Sequence, residues 1–268
     1  MSEIKHDQIR SSVRESYSRI SQGSIGSCCS SSSTCCGSSV DEEAVQISAV
    51  LGYSKDELHA VPQGANLGLG CGNPQAIAAL KPGEVVLDLG SGAGFDCFLA
   101  ARSVGEQGKV IGVDMTPAMV TKARQNLQRS TFLNIEFCLG EIENLPVVDG
   151  IIDVIISNCV INLSPEKDRV FFEVFRVLKP GGRLAISDVV RSAELPNEVK
   201  ENMRLYSSCI SGASSILELE TMLKQAGFDK VQIVPRDSSQ TFIKEWQPGS
   251  NIEDYVISAS IEAVKPFD

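Results

Sequence analysis

The sequence predicts an α/β fold in which helices cover a doubly wound, mostly parallel sheet, with a helical, Cys-rich arm before it and a smaller inserted or C-terminal lobe after it. Three observations lead there. From Lys81 to Asp188 short apolar runs alternate with helix-period segments across short turns, as in a parallel sheet flanked by helices. Glu84 to Leu89 is almost continuously apolar, which suits a central strand buried on both faces. That strand runs into the glycine turn Gly90-Ser91-Gly92-Ala93-Gly94, and a helix opens from the turn.

In chain order, Ile9, Val13, Tyr17 and Ile20 form one apolar helix face, and Gly23 stops it. Residues 21–39 are a run of Ser, Gly and Cys with too little apolar content to drive packing, read as a mobile segment that carries Cys28, Cys29, Cys35 and Cys36. Asp41–Leu51 and Ser54–His59 read as short helices, the second with Ser54 as N-cap, and a glycine-rich loop from Gly64 to Pro74 holds Cys71. The core strands follow at Glu84–Leu89, Lys109–Asp114, Ile135–Leu139, Ile151–Ser157 and Arg183–Asp188. Between them lie helices at Gly94–Val104, Pro117–Ser130 and Pro165–Leu178. After Val190 the alternation breaks. Residues 191–213 read as an insertion over the sheet, helical from Glu198 to Leu205 and carrying Cys209; a helix at Ser215–Ala226 and strands near Lys230–Val234 and Tyr255–Ala263 close the chain. The divisions expected are an N-terminal arm (1–75), a nucleotide-binding core (76–190) and an acceptor lobe (191–268).

Composition narrows the function. The 268 residues are 43% hydrophobic, enough for a sizeable core. Lys and Arg total 24 against 34 Asp and Glu, a net charge of −10, the wrong sign for gripping a phosphate backbone, so a nucleic-acid partner is not expected. No stretch has signal-peptide form or membrane-span length, and we expect a cytoplasmic monomer. Nine cysteines are many for a reducing compartment, which gives some of the thiols a chemical task. The two histidines, His6 and His59, lie outside the glycine-turn region, against an imidazole base.

The glycine turn offers free amides at a helix N-terminus to an anionic group such as a carboxylate. Phe95 stands where a dinucleotide fingerprint needs Gly or Ala, and Asp88 before the turn suits a ligand with an ammonium group better than a pyrophosphate. S-adenosylmethionine has such an ammonium. Asp114 ends the next strand, placed to accept ribose hydroxyls. Cys159 follows the fourth strand at the carboxyl edge, where ligands of open α/β sheets bind. Alone it would read as a small buried hydrophobe. Cys71 and Cys209, on two further polar loops, can deliver three sulfurs to one point, and a pyramidal trithiolate suits As(III) better than the four-ligand zinc tetrahedron.

Residues Asp88 to Gly94 and Asp114 resemble the first two motifs of class I methyltransferases; Asp153 and the turn from Leu178 to Gly182 extend the likeness as structural features, the turn separating a helix from the fifth strand. This implies a cofactor site of Asp88, Gly90, Ser91, Gly92, Asp114 and Met115, with Glu141 and Ile142 at the adenine and Asn158 beyond the fourth strand. The string Asn158-Cys159-Val160-Ile161-Asn162-Leu163, the Gly-Cys-Gly loop around Cys71, and Cys209 after Ser187-Asp188-Val189-Val190 and Glu194-Leu195-Pro196 closely resemble the S-adenosylmethionine-dependent arsenite methyltransferases, from about Val13 to Ala263. The resemblance implies that Cys159 and Cys209 hold arsenic and that Cys71 is the third thiol. It further implies a redox partner among the N-terminal cysteines, of which Cys36 is favoured, and an external reductant, thioredoxin or glutathione. Two other readings remain open at this point: a methyltransferase for a quinone or phenol, and a metalloid-binding protein on a degenerate fold, against which the intact Asp88, Gly90, Gly92 and Asp114 stand.

Overall fold

The computed structural model describes residues 3–23, 40–200, 202–247 and 249–267. Cys28, Cys29, Cys35 and the expected redox partner Cys36 lie outside the described residues. Ahead of the sheet come α1 (Glu3–Ser21), α2 (Val40–Leu51), α3 (Lys55–His59) and the single turn α4 (Gln75–Ala78). Ser54 caps α3 as predicted: its side chain accepts the Glu57 N–H while the Glu57 carboxylate accepts the Ser54 N–H.

The core then runs β1 (Val85–Leu89), α5 (Phe95–Val104), β2 (Lys109–Asp114), α6 (Pro117–Gln128), β3 (Ile135–Leu139), β4 (Ile152–Asn158), α7 (Lys167–Val177) and β5 (Leu178–Arg191). The remainder is α8 (Asn197–Lys200), α9 (Met203–Ser207), α10 (Ile216–Gln225), β6 (Asp229–Pro235), α11 (Gln240–Trp246) and β7 (Val256–Val264). Among the described residues seven strands form one sheet in the order β3-β2-β1-β4-β5-β7-β6. β1 to β5 pair in parallel, whereas β7 runs antiparallel to both β5 and β6. The chain winds outward from β1 in one direction and from β4 in the other, so the crevice between those two strands is the switch point where ligands of such sheets bind.

Three expectations change. The last two strands belong to the same sheet as the glycine turn, β7 pairing with β5 from Arg183↔Val264 to Arg191↔Val256, so a boundary at 190 cuts through a continuous ladder. The fifth strand begins at Leu178, not after the glycines: Leu178 pairs with Ile152 and Arg183 with Val154, and Lys179 to Gly182 form the irregularity between them. The single helix expected at Glu198–Leu205 is two short ones, and α11, whose Phe242, Ile243 and Trp246 fall at helical spacing, is too short at seven residues to stand out in the sequence.

The strand alternation sorts the core into two layers. Val86 packs with Phe98, Ala101 and Val120 of α5 and α6, while Leu87 and Leu89 pack with Phe171 and Val174 of α7 and Leu219 and Leu223 of α10. Each such fully buried side chain contributes about 1.5–3 kcal/mol. A third cluster sits at the carboxyl edge, where Val13 of α1 meets Cys71, Cys159, Leu163, Leu205 and Cys209. This cluster fixes the place of the site.

Candidate active site

A cleft of about 1030 Å³ opens at the switch point, bounded by the ends of β1, β2 and β4 and roofed by Arg10, Val13 and Tyr17 of α1. Asp88, Gly90, Ser91, Gly92, Asp114, Met115, Ile142 and Asn158 all line it, as does Cys159. Glu141 does not. Its carboxylate faces Arg10 and Arg14 (3.7 and 3.9 Å), and Glu143 takes the place on the wall, 3.4 Å from the same Arg10 Nε and accepting the Ser164 hydroxyl at 2.5 Å.

Asp114 stitches the first turn to the second: Oδ2 accepts the Gly92 N–H at 2.9 Å and Oδ1 the Thr116 N–H at 2.8 Å. Gly92 has φ +52°, and a Cβ built there meets nothing within 4 Å, so the turn leaves an open backbone face toward the cleft. Asp96 at the start of α5 accepts the Tyr53 hydroxyl at 2.8 Å, and Asp88 accepts the Cys97 thiol at 3.2 Å.

Burial pushes the Asp88 carboxyl well above the usual range, reinforced by the neighbouring Asp96, which burial itself raises to about 6; burial raises Asp114 as well. Among the described residues none of these three carboxylates has an ion-pair partner, so a cation bound beside them would be stabilised. Among the described residues the two buried side-chain polar atoms without a hydrogen bond are Ser91 Oγ, in the same cleft, and Arg10 Nε, which faces the Glu143 and Glu141 carboxylates at 3.4 and 3.7 Å. A ligand with an ammonium or sulfonium charge, hydroxyls and a carboxylate fits this donor set.

The three cysteines expected to act together do converge. Cys71 on its loop, Cys159 after β4 and Cys209 after α9 are 0%, 8% and 2% exposed. The Cys71 and Cys159 sulfurs lie within 4.8 Å of each other. Cys209 Sγ also donates to the Cys159 carbonyl at 2.8 Å, and Cys71 Sγ to the Ser187 carbonyl at 3.5 Å. Cys159 and Cys209 have φ of +59° and +65°, a left-handed conformation that costs a side chain about 1–2 kcal/mol and persists where surrounding contacts hold it. For Cys159 the holder is Asp188 of β5. It accepts the Ile161 N–H and the Asn162 side chain, both at 2.9 Å, and so pins the segment after Cys159. Burial raises the Cys71 thiol to about 11 and lifts the Cys159 thiol well above its ordinary value, while the neighbouring Cys159 and then burial lift that of Cys209.

Asn158 joins the two halves. Its side chain accepts the Cys71 N–H at 3.0 Å and donates to the Gly72 carbonyl at 2.8 Å and the Tyr53 hydroxyl at 3.1 Å. A Cβ on Gly70, with φ +126°, would come within 2.7 Å of Asn158, so this close approach requires glycine. Sequence reasoning missed Arg10 and Tyr17 as wall residues, although both share the α1 face of Val13. It had no signal for Tyr53 or Glu143, whose placement depends on loop geometry, nor for Asp96 in the first turn of α5.

The fold and cleft define a methyltransferase: the methyltransferase-domain family matches residues 80–227. The arsenite methyltransferase of Halobacterium salinarum is 50% identical over 97% of this chain and 67% of its own length. The mouse arsenite methyltransferase is 40% identical over 57% of this chain and 43% of its own, so the chain spans only part of these relatives. The crystal structure of an arsenic(III) S-adenosylmethionine methyltransferase from Chlamydomonas reinhardtii superposes with a TM-score of 0.59 at 30% identity, covering 86% of this chain and 74% of that one. The chain belongs to the arsenite methyltransferase family. No helix among the described residues is long and apolar enough to cross a membrane.

Proposed function

We propose that the chain transfers methyl groups from S-adenosylmethionine to trivalent arsenic held by Cys71, Cys159 and Cys209. The observation that carries this is the convergence of three buried thiols from three separate loops beside a cleft lined by unpaired carboxylates. Asp114 is assigned the ribose hydroxyls, Asp88 the ammonium side, and the Gly90–Gly92 turn with the free Ser91 hydroxyl the remaining polar atoms. Ile142 and Glu143 stand at the place assigned to the adenine, in the stead of Glu141. When bound, S-adenosylmethionine supplies an electrophilic methyl on a positively charged sulfur.

Neutral arsenous acid and three thiols exchange to a trithiolate and three waters, the thiol protons leaving on the arsenic hydroxyls. Raised thiol pKa values therefore do not oppose loading, and no imidazole base is needed. The walls around Cys159 and Cys209 exclude water and hold the arsenic lone pair toward the cleft, so positioning is the main catalytic contribution. Methyl transfer raises arsenic formally to the pentavalent state. Two protein thiols return it to the trivalent state by closing a disulfide, for which we assign Cys71 and an N-terminal cysteine, Cys36 or its neighbours; thioredoxin or glutathione then supplies two electrons to reopen it.

The test is transfer of a labelled methyl group from S-adenosylmethionine to arsenite by the reduced chain. Labelled methylarsenicals are expected. Transfer to a phenol or quinone with none to arsenite would overturn the assignment.

A further inference from the structure

We propose that the trithiol pocket is also a four-donor site for a soft divalent cation, zinc or cadmium, with Asp188 as the fourth ligand. The inference rests on the reading that Cys71, Cys159 and Cys209 act as one ligand set. A carboxylate oxygen of Asp188 and the sulfurs of Cys71 and Cys159 all lie within 4.8 Å of one another, and Cys209 Sγ stands outside that trio, donating to the Cys159 carbonyl at 2.8 Å. Zinc at about 2.3 Å from each sulfur and about 2.0–2.2 Å from a carboxylate oxygen spaces tetrahedral neighbours by under 4 Å, so small side-chain rotations close the site. The four donors are buried, Asp188 at 1% exposure, so a bound cation is shielded from water.

The two occupants differ in how many donors they use. Trivalent arsenic forms three bonds and keeps a lone pair in the fourth direction, so it leaves Asp188 unused. A d¹⁰ divalent cation has no lone pair and takes four ligands. Asp188 is aimed for this: the Val189 N–H (2.7 Å), the Ile161 N–H and the Asn162 amide hold its carboxylate in one orientation, as outer-shell partners hold metal-binding carboxylates. It has no cationic partner within ion-pair distance among the described residues. Three thiolates and one carboxylate around a dication leave two negative charges, and the Lys167 ammonium, which donates to the Gly212 carbonyl at 2.7 Å and interacts with both Asp188 and Cys209, offsets one of them. Binding releases the three thiol protons to solvent and changes no oxidation state. Because both occupants use the same sulfurs, a divalent cation excludes arsenic and blocks methyl transfer.

The experiment titrates the reduced full chain with cadmium chloride and follows the thiolate-to-cadmium absorption. One equivalent should bind, cadmium-113 resonance should report three sulfurs and one oxygen, and arsenite should abolish the band. In Asp188→Asn cadmium affinity should fall by at least about tenfold, and by far more than arsenite affinity. Equal loss for both ligands, or a wild-type resonance of two-sulfur or four-sulfur character, overturns the proposal; the resonance decides even if the variant does not fold. Cadmium bound through Asp188 in a chain that methylates no arsenite would instead overturn the methyltransferase reading and leave this one standing.

Discussion

Asn158 grips Cys71 by its backbone, Oδ1 accepting the Cys71 N–H at 3.0 Å while Nδ2 donates to the next carbonyl at 2.8 Å. The residue before one proposed arsenic ligand therefore places another. It also reaches Tyr53, whose hydroxyl bonds Asp96 in the cofactor cleft.

Asn158→Ala should free the Cys71 loop and cost about 1–3 kcal/mol in stability through the buried partners left unpaired. Arsenite affinity should fall more than S-adenosylmethionine affinity. Denaturant titration and calorimetry check both, and a variant weakened only toward the cofactor would assign Asn158 to the cleft alone.

Asp114→Ala should weaken S-adenosylmethionine binding by about 1–3 kcal/mol, because the ligand loses a charged acceptor and the Gly92 and Thr116 amides lose theirs. Unchanged affinity by calorimetry would remove Asp114 from the ribose site.

The thiols should divide their labour. Cys159→Ser and Cys209→Ser should abolish all arsenic methylation while cofactor binding survives, since a hydroxyl is a harder and less acidic ligand than a thiol. Cys71→Ser should spare an already monomethylated trivalent substrate, which needs two thiols. If Cys71→Ser fails on that substrate as completely as the others, the three thiols form one indivisible site.

Burial lifts Asp96 to about 6, above the value near 3.9 of an unfolded aspartate. The folded state then holds the proton more tightly, so the stabilisation linked to that proton is fully present below pH about 4 and is lost as the pH rises to about 6. Asp96→Asn lacks the proton. Its stability relative to the wild type should rise across this window in denaturant titrations, and a constant difference would show that Asp96 is not the group that titrates.

Much of this was legible because local chemistry and long-range structure agree. The apolar β1 run, the glycine turn and the Ser54 cap each depend on a few adjacent residues, and Ser215 caps α10 by the same box. The convergence of Cys71, Cys159 and Cys209 followed from placing three loops at one sheet edge. What stayed hidden depends on contacts distant in sequence. Asp188 meets the Cys159 segment across the β4–β5 pair, and the inward turn of Glu143 in place of Glu141 depends on the bend after β3. The left-handed conformations of Cys159 and Cys209 have no signature in residue type, since such positions usually carry glycine or asparagine.

Arsenic-edge X-ray absorption of the reduced chain with one equivalent of arsenite tests most directly the claim that three thiols hold the methyl acceptor. The account predicts a single shell of three sulfurs and no oxygen, reduced to two sulfurs in Cys71→Ser. A wild-type shell with two or fewer sulfurs, or one unchanged by that substitution, would contradict it.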